Sequence, residues 1–534
     1  MDNFDCIIRN GIVVDGSGNL PFPADIGIIG SKIAKIGNIP DVDSKITINA
    51  SGLYVSPGFI DMHSHADFSI ITNPYASNLV RQGITSVVTG NCGYSLAPII
   101  KEKVEEFEDI INGFNTKDQR TSVSWSSFAE YLEYMKSVDI AVNLLPLVGF
   151  ISIRFSILGM ENRDPTDAEV SQMQAMVEES MKAGAFGFST GLIYAPQMYS
   201  KTPEIIKLAE LSGKYNGMYF SHIRNEGDDQ INAITEFLEI VKYSGCRSGQ
   251  LSHHKIAGEK NWGMSKDTLK LVRDQVLDGL QVRIDQYPYI AGSNMLSDSL
   301  PGWVREGGIH QLLSRLQNEE LLEKIKTDME STEVGKLRWD KIFVSHVLEE
   351  NWKQYEGDSI EEIASKLSCD PFDAFIRIII ENKGNVGKIA EYGHEDDVEQ
   401  IMKDDLTMFG TDCSVTTLNK GKPHPRSYGT YPRILGKYSR EQGVLSFEHA
   451  IRKMTSYPAQ TMGIFDRGLI REGMYADIVI LDKDKVIDRA TYRDPHQYPD
   501  GIVHVLVNGK LVVENNLQTE NRPGKIITRH DSAY

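Results

Sequence analysis

The chain has no run approaching the roughly 18 uninterrupted apolar residues that a membrane span needs, so nothing in it is expected to sit in lipid. It has no Lys/Arg-rich tract, and 56 basic side chains face 74 acidic ones, for a net charge of -18. A surface of that sign offers no field for a phosphate backbone, which excludes nucleic acid as a partner. Cysteine is scarce and scattered (Cys6, Cys92, Cys246, Cys369 and Cys413) with no even framework, which excludes a disulfide-built fold. The opening MDNFDCIIRN is too polar for a secretory signal, so the expectation is a reduced, cytoplasmic protein. Internal repeats and low-complexity tracts are lacking too. What is there is an ordinary globular composition, 41% apolar and 24% charged. Its 534 residues exceed one ordinary core and suit one large barrel plus a smaller domain.

From Asp5 to Val55 short β runs alternate with turns (DCIIRNGIVVDGSG, DIGIIGSKIAKIG, ITINASGLYVS), and a matching pattern returns in DRGLIREGMYADIVILD and GIVHVLVNGKLVV. Each half alone buries too little to be stable, so the two ends are expected to form one β domain, residues 1–56 with 466–534. Between them lie eight apolar runs of strand length: GFIDMHSH, SVVTGNC, IAVNLLPLVG, GAFGFSTGL, GMYFSHI, GQLSHH, QVRIDQYPY and LTMFGTDCS. Helical stretches such as DPTDAEVSQMQAMVEESMKAGA separate them. Continuous apolar strands alternating with helices indicate parallel βα units, and eight such units close into an α/β barrel over residues 57–465. A segment at about 290–406 interrupts the alternation. It reads either as an insertion over the barrel mouth or as an excursion on its flank.

In six of the eight runs a polar or metal-binding residue stands near the C-terminal end, where a barrel's βα loops open and its active site lies. His63 and His65 close the first run, and i, i+2 spacing on a strand lets both imidazoles face one ion. Cys92, His222, His253 and Asp412 end other runs; a thiolate and imidazoles are good zinc ligands, and a carboxylate serves as ligand or base. Taken singly, each has a structural explanation, a buried small hydrophobe in the case of Cys92. Their recurrence at one end of successive strands points to a metal site. His254, next to His253, must face the other way and reads as structural.

The motifs PGFIDMHSHAD, QGITSVVTGNCGYSLAP, GAFGFSTGLIYAP, SHIRNEGD, LSHHKIAG, DQYPYIAGS, GTDCS, HPRSYGTYPRILG and ADIVILD span nearly the whole chain. Through them the sequence resembles the D-aminoacylase (N-acyl-D-amino-acid deacylase) family of the amidohydrolase superfamily. The resemblance implies a distorted (β/α)8 TIM-like barrel with a small β-sandwich domain built from both termini. It implies one tightly held zinc on Cys92, His222 and His253, and a second, weaker metal site on His63, His65 and Asp412, with Cys92 in the bridging position. GAFGFSTGL supplies no lysine of the kind that bridges two metals in many relatives. The implied activity is hydrolysis of the amide bond of a small-molecule N-acyl-D-amino acid, or of a dipeptide with a C-terminal D-residue, by metal-activated water with Asp412 as base and acid. A cyclic amidase of the hydantoinase or dihydroorotase kind is the alternative.

Lys255, Tyr287 and Arg426 match the family's carboxylate-binding positions, and two cations with a phenol donor suit that task. Arg224 and Glu226 read as a structural ion pair near the site. Ser189 stands in FSTG, which lacks the GxSxG of a serine nucleophile. Two stretches depart from the family pattern. GFISIR has Phe150 where many relatives have a histidine, with Arg154 kept. AGSNMLSDSLPGW carries Met295, Leu296, Leu300 and Trp303 and no arginine, which predicts a preference for neutral, apolar substrate side chains.

Overall fold

The computed structural model describes residues 4–114, 120–330 and 338–532. The eight apolar runs form parallel strands: Phe59–Asp61, Ile84–Thr89, Asn143–Pro146, Gly187–Gly191, Met218–His222, Gly249–Leu251, Val282–Gln286 and Thr407–Phe409. ITSVVT and MYFSH are buried at every position, because barrel core covers one face and helices the other. The ring is not hydrogen-bonded evenly. The first three strands pair with one another, and the other five continue from a short strand, Val148–Gly149. The breaks are bridged outside the ladders, by Met62 N to Phe409 O at 3.1 Å, Asp412 N to His63 O at 2.6 Å and His65 N to Cys413 O at 2.9 Å at one, and by Phe186 N to Pro146 O at 3.0 Å at the other. The barrel is therefore closed but distorted.

The outer helices follow from local signals. Asp167–Ala183 starts at a capping box between Thr166 and Glu169 and stops at Gly184, whose φ of 119° ends the helix. Val170, Met173, Val177 and Met181 recur at three- and four-residue spacing and are its buried stripe.

The chain's two ends share one sheet of nine strands. The joint is the antiparallel pairing of Tyr54–Pro57 with Ile478–Leu481. Where the sheet meets the start of the third barrel strand, a buried polar knot forms. Asp477 accepts from Arg467, from Asn508 N at 2.6 Å and from Asn143 Nδ2 at 3.3 Å, while Asn508 Nδ2 donates to Asn143 Oδ1 at 2.8 Å.

The segment after the seventh strand builds its own three-stranded antiparallel sheet, Ala291–Met295, Val386–Glu391 and Ile342–Val347. It also has its own core, which includes Leu296, Leu300, Ile363, Phe375 and Ile379. Of the apolar residues that suggested a neutral substrate side chain, Leu296 and Leu300 belong to this core, and Leu300 lines a cavity as well. Trp303 joins them at the edge of this core, with its indole N–H on Asp328 Oδ2 at 2.9 Å.

Because Asp477→Ala strands the buried Arg467 without its carboxylate, it is expected to lower unfolding stability by about 3–5 kcal/mol. Divalent-metal content should not change, since the knot lies at the N-terminal end of the barrel strands. Denaturant midpoints with parallel metal analysis check this; an unchanged midpoint contradicts the role given to the knot.

Candidate metal centre

The predicted donors all emerge at the C-terminal ends of the barrel strands. His63 and His65 lie just past Phe59–Asp61, in a bend rather than on the strand itself. Asp61 holds that bend to the last strand: its carboxylate accepts from His63 N at 3.1 Å, Thr411 N at 2.9 Å and Thr411 Oγ1 at 2.5 Å. Gly410 permits the approach, since a Cβ there would stand 2.5 Å from the His63 Cβ. Cys92, His253 and Asp412 all have left-handed backbones, with φ of 54°, 31° and 50°. Non-glycine residues enter that region at an energetic cost and cluster there at functional sites. Ser189 helps hold the Cys92 turn, donating to Gly90 O and accepting from Gly93 N at 3.1 Å. It is a structural hydroxyl.

The donors converge on one sulfur. Cys92 Sγ lies 3.2 Å from His63 Nε2, 3.4 Å from His253 Nε2 and 3.8 Å from His222 Nδ1. Asp412 Oδ1 lies 3.3 Å from His65 Nε2 and 3.7 Å from His63 Nε2. Two overlapping groups result, Cys92 with His222 and His253, and Cys92 with His63, His65 and Asp412; within each, the donor atoms lie within 4.8 Å of one another. Burial pushes the Cys92 thiol up, but the adjoining His63 and His253 reverse this and hold it well below its usual range. Burial pulls His65 down, and Asp412 and Cys92 overcome it, lifting the imidazole to about 9. Lone pairs packed this closely in a buried space need positive charge between them, supplied either by protons or by a cation. The set of thiolate, imidazole and carboxylate is one that zinc accepts.

A second ring of carboxylates orients the imidazoles. Asp285 lies 3.2 Å from His63 Nδ1 and accepts the His253 backbone N–H at 2.7 Å. Glu226 lies 3.1 Å from His253 Nδ1 and 3.7 Å from His222 Nε2, and it accepts from Lys255 at 2.6 Å. The expected pair of Arg224 with Glu226 does not form. Arg224 makes a two-bond pair with Glu236 instead, at 2.9 Å for both bonds, which frees Glu226 for the histidines. Neither Asp285 nor the role of Glu226 was apparent in the sequence, although both are acidic residues within a few positions of a run's end. His254 faces away as expected: it bonds Thr268 Oγ1 at 2.9 Å, and burial lowers it to about 4.

The three residues matched to carboxylate binding come together around one ring. Lys255 Nζ and Arg426 Cζ stand 5.5 and 4.6 Å from the Tyr287 ring centroid, and Tyr287 Oη is 2.8 Å from Tyr392 Oη. Arg426 Nη1 is 2.8 Å from Asp412 Oδ2. Burial would raise the Asp412 carboxyl, but Arg426 and the histidines hold it well below the carboxylate range. His424, of the HPR segment, is not a donor to the cluster; its Nδ1 accepts the Arg426 N–H at 3.0 Å and its Nε2 meets Ala291 O at 3.0 Å, fixing the loop. Arg154 of GFISIR is fully buried and bound to Glu204 and to the carbonyls of Glu161, Arg163 and Pro196, a structural role.

A cavity of about 520 Å³ opens onto His222, Lys255, Tyr287 and Asp412, and the inserted segment supplies its opposite wall through Ser293, Asn294 and Lys388. A smaller cavity of about 140 Å³, walled by Phe68, Tyr94 and Tyr194, reaches His65, Cys92 and Asp412 from the other side.

The arrangement matches the model of the amidohydrolase family over residues 47–220 and 357–513. The chain belongs to the amidohydrolase family. It is 32% identical to a D-aminoacylase of Alcaligenes xylosoxydans xylosoxydans, across 98% of either chain. The fold superposes with a TM-score of 0.84 on an N-acyl-D-glutamate deacylase from Bordetella bronchiseptica, at 30% identity over 99% of this chain and 100% of that one. That protein was solved with zinc and a phosphonate inhibitor that mimics the tetrahedral intermediate. A D-aminoacylase structure described by one-metal activation and second-metal attenuation of a binuclear centre matches with a TM-score of 0.82, at 30% identity over 98% of this chain and all of that one.

In this amidohydrolase, Glu226→Gln removes the one charge shared by Lys255 and two imidazoles. Divalent-ion affinity, measured by chelator competition, is expected to fall about 10- to 100-fold with the fold retained, as for other residues that orient metal-ligating histidines. An unchanged affinity contradicts the orienting role.

Proposed function

We propose that this amidohydrolase hydrolyses the amide bond of N-acyl-D-amino acids, or of dipeptides with a C-terminal D-residue, to a carboxylate and a free D-amino acid. The observation that carries the reading is the knot of Cys92, His222, His253, His63, His65 and Asp412 beside Lys255, Tyr287 and Arg426. The names of its full-length relatives support the substrate class. Cys92, His222 and His253 are the donors for one tight zinc; His63, His65 and Asp412, sharing Cys92, are those for a second and weaker metal. Zinc held there lowers the pKa of a bound water toward about 7 and polarises an acyl carbonyl.

The protein's own groups do the rest. Lys255, Tyr287 and Arg426 bind the substrate's α-carboxylate, which sets the scissile amide against the metal donors. Asp412 accepts the proton of the attacking water as its oxygen bonds to the acyl carbon. It then delivers that proton to the nitrogen as the C–N bond breaks. Arg426 keeps Asp412 ionised, so the proton is held only transiently and passes on.

The cyclic-amidase alternative needs a lysine carbamate between two metals. The strand Gly187–Gly191 contains no lysine, and the lysine beside the donors, Lys255, is engaged by Glu226. Free thiols at all five cysteines support a reducing, cytoplasmic setting. Among the described residues no helix is long and apolar enough to cross a membrane. The pairing of the terminal strands supports a division into residues 1–56 with 466–534 and residues 57–465, the latter carrying the insertion at about 290–406.

A screen of N-acetyl-D-amino acids beside their L enantiomers tests the reading: turnover confined to the D series is expected, and turnover confined to L enantiomers or to cyclic amides contradicts it. Asp412→Asn should fold and retain zinc at the tight site while kcat falls by about 10²-fold or more, the usual contribution of a positioned proton carrier. A near-normal rate would mean that another base does the work.

A further inference from the structure

The two cavities meet at the metal donors and can divide a substrate between them. Asp412 and Tyr194 line both, as do Ser293 and Asn294 of the inserted segment. Lys255 and Tyr287 stand on the wall of the larger cavity, so an α-carboxylate bound by them commits the amino-acid half to that side. An amide whose nitrogen faces the larger cavity sends its acyl group the other way, past His65 and Cys92 into the smaller one. One side of that smaller cavity is an aromatic arc. Phe68 stacks on His65 with ring centroids 5.7 Å apart and 4° between the planes. Tyr94 stands edge-on to Phe68 at 5.9 Å, Tyr194 to Tyr94 at 5.3 Å and His222 to Tyr194 at 5.1 Å. The arc therefore runs from a donor of one metal-binding group to a donor of the other. At about 140 Å³ the cavity has room for on the order of ten waters, far more than the methyl of an acetyl group fills.

The rest of the wall is polar but offers no free anion. Ser345, Ser414 and Thr416 contribute hydroxyls. Among the described residues that line the cavity the one carboxylate is Asp412, and it is already paired, at 2.8 Å, with the one guanidinium there, Arg426. An ammonium group entering this space is buried without a counter-charge, which is costly. An uncharged chain or ring instead gains by burial against aromatic faces. We propose that the substrate's acyl group is uncharged, larger than acetyl, and ends in an apolar chain or ring held among Phe68, Tyr94 and Tyr194, while the free ammonium of a dipeptide is turned away. The inference rests on the activity proposed above and names the acyl half of its substrate. It also narrows that activity, since a dipeptide and a simple acyl amide differ at the carbon that this cavity receives.

The test uses three derivatives of the D-amino acid that the enantiomer screen turns over best: N-acetyl, N-(3-phenylpropanoyl) and N-(L-phenylalanyl). The last two share one carbon skeleton and differ by the ammonium alone. In the zinc-loaded protein, kcat/KM for the 3-phenylpropanoyl compound should exceed that for the acetyl compound by about tenfold or more. It should exceed that for the dipeptide by about 30-fold or more. Ser414→Phe and Thr416→Phe each fill the cavity from its polar wall. Either should remove about tenfold of the advantage over acetyl while acetyl turnover stays within about threefold, which also shows that the variant folds. The inference is overturned by an acetyl compound cleaved as well as the 3-phenylpropanoyl one, by a dipeptide cleaved as well as its uncharged counterpart, or by an advantage that survives both substitutions. Should the screen show no turnover in the D series, the proposed activity fails and binding decides the cavity. In calorimetry on the zinc-loaded protein, 3-phenylpropanoate bound about tenfold tighter than acetate, with the difference lost in Thr416→Phe, upholds the inference, and equal binding overturns it.

Discussion

A buried thiolate is the constraint from which the rest of this site follows. Cys92 is 2% exposed, and a charged sulfur at such depth is tolerated only with positive charge in contact. His63 and His253 supply it, with His222 adding a third nitrogen at 3.8 Å, and through them the requirement spreads outward. Behind the imidazoles stand Asp285, 3.2 Å from His63, and Glu226, 3.1 Å from His253 and 3.7 Å from His222; those carboxylates need donors in turn, found in Gln250, in the His253 N–H and in Lys255. The result is an alternating set of charges in which one divalent cation can replace several protons. A barrel is suited to building it, because strands far apart in sequence deliver their ends to one place.

The barrel bears a cost for that convergence. Three donors sit in left-handed backbone, each worth of order 1–3 kcal/mol in strain, and the surroundings must hold them there. The braces are local: Asp61 clamps the first strand to the last, and Ser189 pins the Cys92 turn. At the other end of the strands, the polar knot around Asp477 couples the barrel to the sheet made by both termini, so the stabilising contacts and the strained ones lie at opposite ends. The inserted segment brings its own core and needs nothing from the barrel's interior. It supplies one wall of the larger cavity through Ser293, Asn294 and Lys388.

Much of this was legible in the sequence. Runs such as SVVTGNC and GMYFSHI have few readings other than a strand covered on both faces, and the polar residues near the ends of such runs pointed to the barrel end at which Cys92, His222, His253 and Asp412 gather. The pairing of the termini followed from two β patterns that neither end could stabilise alone. The charge partners were harder. Arg224 and Glu226 stand two apart and invited a pairing, yet Glu236, on the following helix, offers Arg224 a two-bond geometry that spacing does not reveal. Asp285 sits inside an apolar run, where its contact with His63 depends on barrel closure over a separation of more than 200 residues. The apolar residues of MLSDSLPGW suggested a lining for a neutral substrate side chain; Leu296 and Leu300 belong to the insertion's own core, and Lys388 becomes a cavity residue only through the register that sets it opposite Asn294.

The central claim, that one thiolate organises the metal centre, is tested most directly by X-ray absorption at the zinc edge on protein loaded with a single equivalent of zinc. The account predicts one sulfur at about 2.3 Å together with nitrogen scatterers at about 2.0–2.1 Å. A first shell of nitrogen and oxygen alone, with no sulfur, would contradict it.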